Sequence, residues 1–326
     1  MKLPHRRRFL HLAASAAALP ATSRIAWAQA YPTRPVRIFV GFAAGGTSDI
    51  VGRLLGQWLS ERLGQPFVIE NRPGASANLA TEAVAKAAAD GYTLLLIGGV
   101  NTINATLFDK LSFDFLRDIA PVASVFETPL VVEINPSVPV HTIPEFITYA
   151  KDNVGKLNMG TPGVGTPPHV AGELFKMMAG VDMVHVPYRG TGPMLTDLIG
   201  GQVQVAFDPL PASIEHIRAG KLRALAVTTA SRSEALPSIP SASEAVPGYI
   251  ASNWYGFAAP KNTSPVIVDK LNAEINAALA DPRMKARLAD LGGTPFASSP
   301  TDFAKFVADD TAKWAKVIRA ANIKSQ

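Results

Sequence analysis

The chain has 326 residues with 31 basic and 26 acidic side chains, so its formal net charge at pH 7 is +5. The first thirty residues carry five of the basic side chains and no acidic one, which leaves 26 of each sign in the rest of the chain. A neutral body without basic runs excludes the electrostatic surface of a nucleic-acid-binding or anionic-membrane-binding protein. Because the sequence contains no cysteine, disulfides, thiolate nucleophiles and thiolate metal sites are also excluded.

Residues 1–30 have the pattern of an export signal. Arg6-Arg7-Arg8 precede an alanine-rich apolar run at residues 12–19, and small residues close the segment. This order is typical of a cleaved secretory signal, and the paired arginines resemble a twin-arginine signal. We predict cleavage after Ala28 or Ala30 and a periplasmic mature protein. A retained N-terminal anchor is the alternative, but the apolar run is shorter than the roughly 20 residues that span a bilayer.

After residue 30 the chain alternates patterns typical of strands and helices. Apolar runs predict strands, and apolar residues at helical spacing predict helices. In chain order the predicted elements are strand 36–40, helix 48–63, strand 67–69, helix 79–89, strand 92–97, strand 130–134, helix 143–152, strand 157–159, helix 167–179, strand 183–186, helix 191–200, strand 203–207, helix 211–219, strand 222–227, and helices 265–280, 282–291 and 300–321. This alternation predicts an α/β fold with parallel sheets.

The chain that follows the predicted signal is long for one hydrophobic core. Its length of about 296 residues predicts two domains. We interpret the stretches 122–134 and 254–259 as crossings between them. The first domain is then discontinuous and comprises residues 31–129 and 256–326, and the second comprises residues 130–255.

The first glycine loop, residues 41–49, joins the first predicted strand to the first predicted helix. Its sequence is Gly-Phe-Ala-Ala-Gly-Gly-Thr-Ser-Asp. Glycines let backbone N–H groups converge on one point, and a helix N-terminus adds partial positive charge, so the loop is suited to hold a carboxylate. It lacks the Gly-Lys-Ser/Thr of a Walker loop and the spacing of a dinucleotide fingerprint. Ser48 or Asp49 is as well suited to cap the helix as to contact a ligand.

The second glycine loop, residues 160–169, has the same character. It follows predicted strand 157–159, precedes a helix and contains three glycines and two threonines. Ligands of open α/β sheets lie at the carboxyl ends of strands. Two such loops, one in each predicted domain, would therefore clamp a small anion between them.

Four further polar residues stand at strand ends or helix starts. Arg189 can pair with a carboxylate bidentately or form a surface ion pair. Asp208 and Asn101 each follow a predicted strand, and Asp208 can equally be a turn former. His169 opens a helix, where it can line a cleft, cap the helix or lie in solvent.

Catalytic and metal-binding patterns are missing from the sequence. The histidines do not have the spacing of a metal site, and no nucleophile elbow is present. The sequence therefore predicts a protein that is not an enzyme and has neither a cofactor nor a metal.

Five motifs recur in order along the chain. They are Tyr31-Pro32-Thr33-Arg34-Pro35-Val36, the first glycine loop, Glu70-Asn71-Arg72-Pro73-Gly74-Ala75, Asp90-Gly91-Tyr92-Thr93-Leu94-Leu95 and Val186-Pro187-Tyr188-Arg189-Gly190. Together they resemble the Bug-type receptors, the extracytoplasmic solute-binding components of tripartite tricarboxylate transporters, and the resemblance covers essentially the whole mature chain. The chain departs from the family at Ala43-Ala44, where proline is common, and at Ala77-Asn78, where further glycine is common.

The resemblance implies a type II periplasmic-binding-protein (Venus flytrap) fold with a ligand cleft between two α/β lobes. It implies a monomer that captures a small carboxylate-bearing metabolite and delivers it to the membrane permease subunits of the transporter. A periplasmic sensor for a two-component system and an exported enzyme acting on a carboxylic acid are the alternatives. In the family both glycine loops surround the ligand carboxylate. Together with the strand-end residues, the predicted ligand-binding set is Phe42, Ala44, Gly45, Gly46, Thr47, Asp49, Asn101, Thr161, Gly163, Thr166, His169, Arg189 and Asp208.

Overall fold

The computed structural model describes residues 31–320 and 323–324, and the predicted export signal lies outside them. The strands are β1 (Val36–Val40), β2 (Phe67–Asn71), β3 (Thr93–Gly98), β4 (Ile119–Ile134), β5 (Asn158–Thr161), β6 (Val184–Pro187), β7 (Val205–Pro209), β8 (Arg223–Val227), β9 (Ser252–Pro260) and β10 (Thr294–Pro295). The helices are α1 (Thr47–Leu63), α2 (Asn78–Ala85), α3 (Gly99–Leu107), α4 (Phe115–Asp118), α5 (Ile143–Asp152), α6 (Pro167–Ala179), α7 (Thr191–Ile199), α8 (Leu210–Arg218), α9 (Pro265–Ala280), α10 (Pro282–Asp290) and α11 (Pro300–Ala320).

The strands form two sheet regions that share β4. In the first, β1 pairs in parallel with β2 and β3, and β9 lies antiparallel between β3 and β4. In the second, β5 pairs in parallel with β6 and β7, while β4 lies antiparallel between β7 and β8. We call the first region with its helices lobe 1 and the second lobe 2. The sequence predicts an α/β fold with parallel sheets; parallel strand pairs are present in both lobes, but antiparallel β9 in lobe 1 and β4 in lobe 2 make each sheet mixed.

Two long strands carry the chain between the lobes. The 16-residue strand β4 pairs with β9 up to Pro129 and with β7 and β8 from Leu130 onward. On the return, the Ala251 N–H donates to the Thr228 carbonyl in lobe 2, and the next residue, Ser252, pairs with Pro129 in lobe 1. The chain therefore changes lobe at adjacent points on both strands.

Each lobe has its own apolar core. In lobe 1, β1 and the inner face of α1 pack together, with Val36 and Leu55 fully buried. In lobe 2, Phe175 of α6 packs against Phe207 of β7 and Tyr249, with ring centroids 5.5 Å away in both cases. Fully burying one such side chain stabilises the fold by about 1.5–3 kcal/mol. Among the helices of residues 31–320, none is both long and apolar enough to cross a membrane.

Helix α3 is the main element that the sequence pattern does not predict. Its sequence, GVNTINATL, buries Val100, Ile103 and Leu107, and it also buries the side chains of Asn101, Thr102 and Asn104. The Asn104 amide donates to the Ser76 carbonyl, 2.6 Å away, and the Thr102 hydroxyl donates to Asp310 of α11. These buried polar side chains interrupt the apolar periodicity by which helices are recognised in sequence.

Candidate functional site

The two lobes meet at the first glycine loop. The Ala43 N–H donates to the Arg189 carbonyl at 3.1 Å, and the Thr47 hydroxyl contacts the Pro209 carbonyl at 3.4 Å. Gly192 approaches so closely that a Cβ atom added to it would lie 2.5 Å from the Ala44 carbonyl oxygen. The structure is therefore closed at this point of the cleft.

Behind these contacts lies a small cavity between the lobes, which we call the interlobe cavity. Its volume of about 40 Å³ is enough for roughly three water molecules. Both lobes contribute to its wall, and no charged side chain of the described residues lines it. The lining residues are Phe42, Gly46, Thr47, Ser48, Ala77, Leu96, Ile97, Gly98, Gly99, Val100, Pro162, Thr166, Pro167, Pro168, Thr191, Pro209, Asn253 and Tyr255.

Six helices of eight or more residues begin at the wall of this cavity. In each case the N-cap or the first helical residue lines it: Gly46 for α1, Ala77 for α2, Gly98 for α3, Thr166 for α6, Thr191 for α7 and Pro209 for α8. A helix N-terminus carries partial positive charge and N–H groups without an intrahelical partner. N-termini that converge in this way suit an anion, although the carboxyl groups of Asp49, at α1, and of Asp208, at α7 and α8, lie directly behind three of them.

Hydroxyl and amide groups supply the polar side chains of the wall. The Tyr255 hydroxyl accepts from the Asn253 amide at 2.8 Å, and burial raises the pKa of Tyr255, so the phenol stays neutral. Thr166 caps α6 by accepting from the His169 N–H and donates to the Gly163 carbonyl at 2.7 Å. The wall can thus orient a ligand by hydrogen bonds without an ion pair.

Four of the predicted ligand-binding residues line the cavity: Phe42, Gly46, Thr47 and Thr166. Ala44 and Gly45 lie in the same loop but are exposed at its rim. Gly163 and Arg189 line an open groove of about 450 Å³, the entrance groove, which shares Phe42 and Pro162 with the cavity.

Asp49 lies behind the first glycine loop and organises it. Its carboxylate accepts from the Gly45 N–H at 3.1 Å, from the Arg53 guanidinium at 3.0 Å and from the Asn71 amide at 3.0 Å. Burial alone would raise the pKa of Asp49, but these hydrogen bonds, that of Arg53 first, hold it below its ordinary value. The side chain is a charged acceptor that fixes the loop backbone.

Asn101, Thr161 and His169 also make contacts inside the protein. Asn101 accepts from the Gly98 N–H at 3.0 Å and so caps α3. The Thr161 hydroxyl lies 2.6 Å from Nε2 of His185, and Nδ1 of His169 accepts from the Gly165 N–H at 3.1 Å. The two imidazole rings stack with centroids 4.1 Å apart, and burial lowers the pKa of each to about 4.

Asp208 is fully buried and lies directly behind Thr191, a residue of the cavity wall. Its carboxyl group accepts from the hydroxyls of Thr191, at 2.7 Å, and Ser213, at 2.9 Å. Thr191 itself lines the cavity and was not predicted, although it stands where the predicted strand 183–186 meets the next helix. Asn253 and Tyr255 were missed as well, because the sequence pattern of β9 indicates only an apolar crossing.

Within the described ranges no group of three or more His, Asp or Glu side chains could hold a metal ion.

Two α/β lobes, joined by two crossing strands and closed on a small cavity, define a two-lobe solute-binding protein. The chain belongs to the tripartite tricarboxylate transporter family of receptors, whose family description matches residues 51–323. This confirms the resemblance found in the sequence and, with it, the role of a solute-binding receptor.

Relatives of known name and structure agree with this family. The chain is 37% identical to the protein BugT of Bordetella pertussis over 300 residues, which cover 91% of this chain and 92% of that protein. It is 39% identical to Rpa4515 of R. palustris, whose structure contains adipate, with a TM-score of 0.88 over 90% of this chain and 99% of that one. It is 34% identical to MatC of Rhodopseudomonas palustris, whose structure contains malate, with a TM-score of 0.84 over 88% of this chain and 100% of that one.

Proposed function

We propose that the protein is a periplasmic receptor that captures a small carboxylate in the interlobe cavity and delivers it to the membrane subunits of a tripartite tricarboxylate transporter. The observation that carries this proposal is the convergence of six helix N-termini on an uncharged cavity. Each N-terminus favours an anion by about 0.3–1 kcal/mol at exposed sites and by up to ~2 kcal/mol when partly buried. A carboxylate therefore fits without a cationic side chain in the wall.

The ligand is a dicarboxylate on this proposal. Relatives of similar fold hold adipate and malate, which each carry two carboxylate groups. One carboxylate fits the interlobe cavity, and the chain of the molecule continues past Phe42 and Pro162 into the entrance groove. Arg189 lines that groove with an exposed side chain, and no ion pair of Arg189 occurs among the described residues. Its guanidinium is suited to bind the second carboxylate bidentately.

Ligand entry requires the lobes to separate. A cavity that holds roughly three waters cannot admit a dicarboxylate while Gly192 lies against Ala44. The change of sheet pairing at Pro129–Leu130 and at Ala251–Ser252 supplies the two hinge points. On this basis lobe 1 comprises residues 31–129 and the chain from Ser252 onward, and lobe 2 comprises residues 130–251. Hinge closure around a ligand is a common motion of such proteins.

A thermal-shift screen tests the ligand class. The mature protein is titrated with dicarboxylates of four to eight carbons, with monocarboxylates of the same length and with the corresponding diamides. Stabilisation by at least one dicarboxylate, and none by its diamide, is expected because only the acid presents an anion to the helix N-termini. Stabilisation by the diamide to the same extent would overturn the carboxylate site.

Export and the oligomeric state belong to the same proposal. The leader pattern supports release into the periplasm after cleavage behind Ala28 or Ala30, and we propose that the released protein is a monomer. Intact mass of the protein recovered from the periplasm locates the new N-terminus. An unprocessed chain in the inner membrane as the main form would contradict the proposed location.

A further inference from the structure

Two fully buried carboxyl groups lie behind the cavity wall with one hydroxyl between them. The Ser213 hydroxyl of α8 is 2.8 Å from Oε1 of Glu133 and 2.9 Å from Oδ2 of Asp208. Oδ1 of Asp208 is 2.7 Å from the hydroxyl of Thr191, which lines the cavity. All four side chains are buried. The function of an anion receptor does not by itself call for two acids at this place.

The protons in the chain of hydrogen bonds from Glu133 through Ser213 to Asp208 can be counted. The Ser213 hydroxyl has one proton and can donate to only one of its two carboxyl neighbours. The second short contact is a hydrogen bond only if that carboxyl brings its own proton. One of the two acids is therefore neutral on geometric grounds.

The contacts decide which acid holds the proton. Asp208 receives two hydroxyl hydrogen bonds, one on each oxygen, which stabilise a carboxylate. Glu133 has a single contact, and its Oε2 is buried without any partner. An orphaned oxygen costs far more on a carboxylate than on the carbonyl of a neutral acid. The consistent arrangement has Glu133 donating to Ser213, and Ser213 and Thr191 both donating to Asp208.

The surroundings contain no compensating cation. Neither carboxyl forms an ion pair with a Lys, Arg or His side chain among the described residues. Arg223 directly precedes Ala224, the β8 partner of Glu133, but its guanidinium donates to the carbonyls of Val138 and Val140. The remaining ionisable neighbour is the phenol of Tyr255, whose own pKa is raised by burial first and by Asp208 second. Burial raises the pKa of both acids. For Asp208 the hydrogen bonds from Thr191 and Ser213 oppose this shift, whereas for Glu133 the charge of Asp208 adds to burial and raises the pKa well above its ordinary value.

We propose that Glu133 is a neutral carboxylic acid at neutral pH and that the chain Glu133–Ser213–Asp208 positions the hydroxyl of Thr191 for ligand binding. Because the proton of Thr191 is committed to Asp208, its oxygen offers only lone pairs to the cavity. The ligand atom beside Thr191 must then be a hydrogen-bond donor, such as a hydroxyl, an amine or a bridging water. This last step rests on the proposed function, whereas the protonation of Glu133 does not.

Infrared spectroscopy of the ligand-free mature protein at pH 7 in D₂O tests the protonation. The wild type is expected to show the carbonyl band of a protonated carboxylic acid, and Glu133→Gln is expected to lose it while keeping a donor to Ser213. Asp208→Asn should keep the band. No band in the wild type, or a band lost in Asp208→Asn and kept in Glu133→Gln, would overturn the assignment.

A second measurement needs no variant and so does not depend on how well one folds. The wild type is labelled with ¹³C at the glutamate side-chain carboxyl carbons and titrated from pH 5 to pH 8 by NMR. One glutamate signal is expected to keep the position of a neutral acid throughout, and its absence would contradict the proposal.

The positioning step is tested on Thr191 with malate as the probe, because malate carries a hydroxyl that can donate to Thr191, whereas adipate carries no donor. Thr191→Ser keeps the hydroxyl and is expected to bind like the wild type, whereas Thr191→Val should bind about threefold to tenfold more weakly. Equal binding by both variants would remove Thr191 from the ligand contacts. If neither malate nor adipate binds the wild type, the dicarboxylate proposal fails while the infrared result stands.

Discussion

The backbone N–H of Ala43 in lobe 1 donates to the backbone carbonyl of Arg189 in lobe 2, and 3.1 Å separate the two atoms. This bond exists only when the lobes are closed, and it joins the loops that carry the proposed ligand contacts. Because both partners are backbone groups, side-chain substitution at either residue leaves the bond possible. Closure is therefore better tested at the glycines beside it, where bulk can be added.

Gly192→Ala should prevent full closure. The new Cβ would lie 2.5 Å from the Ala44 carbonyl oxygen, which is backbone and cannot move aside. Gly192 lies in α7, where alanine is favoured over glycine by about 1 kcal/mol, so the fold itself should not suffer. Small-angle scattering at saturating ligand should show the wild type contracting and the variant staying expanded. Gly200→Ala, at the other end of the same helix, is the control, and contraction of Gly192→Ala to the wild-type radius would refute the closed arrangement.

Gly46→Val should weaken ligand binding more than Gly46→Ala. The backbone at Gly46 is extended, with φ −87°, so valine introduces no backbone strain. Its Cβ would lie 3.3 Å from that of Thr191 across the cavity, and the two further methyl groups would fill ligand space. Calorimetric titration of the three proteins should give a graded loss of affinity. Unchanged affinity in Gly46→Val would mean that the ligand does not approach this loop.

Asp49→Ala should destabilise the fold by about 1–3 kcal/mol, because it leaves the Gly45 N–H, Arg53 and Asn71 without their common acceptor. Arg53→Ala is the matched control, since its half-exposed side chain should cost less than about 1 kcal/mol. Urea unfolding at pH 7 measures both changes. Since hydrogen bonds hold the pKa of Asp49 below its ordinary value of 3.8, its contribution is present above that pH and lost as pH falls further. Equal effects of the two substitutions would contradict the role of Asp49.

Acid should destabilise the protein through His169. Burial, followed by the charge of Lys176, lowers the pKa of His169 from 6.5 to about 4. Between these two pH values the unfolded chain therefore binds a proton at this histidine that the folded chain does not. The free energy of unfolding then falls with falling pH by at most about 1.4 kcal/mol per pH unit for this one group. His169→Asn keeps an acceptor for the Gly165 N–H and should reduce the slope between pH 6.5 and pH 4.5, and the slope that remains is that of His185, whose pKa is also about 4. An identical slope in both proteins would show that His169 titrates normally.

More of the fold than of the candidate site could be predicted from the sequence. Apolar periodicity indicated α1 and β1, but it missed α3, where the buried polar residues Asn101 and Asn104 interrupt the few buried apolar ones. The glycine loops were found because backbone conformation has a signature in sequence. The positions of Asp208 and Tyr255 depend on strand register, which places Asp208 behind the cavity wall and Tyr255 in the wall. Strand register cannot be predicted from the local sequence pattern around either residue.

Calorimetric titration of the mature protein with a dicarboxylic acid and with its dimethyl ester tests the carboxylate site most directly. The acid that stabilises best in the screen is the probe. We expect it to bind with one site per chain and roughly a hundredfold or more tighter than the ester, because the ester loses charge-assisted hydrogen bonds of about 1.5–3 kcal/mol each. An ester that binds as tightly as the acid would contradict a receptor built around helix N-termini.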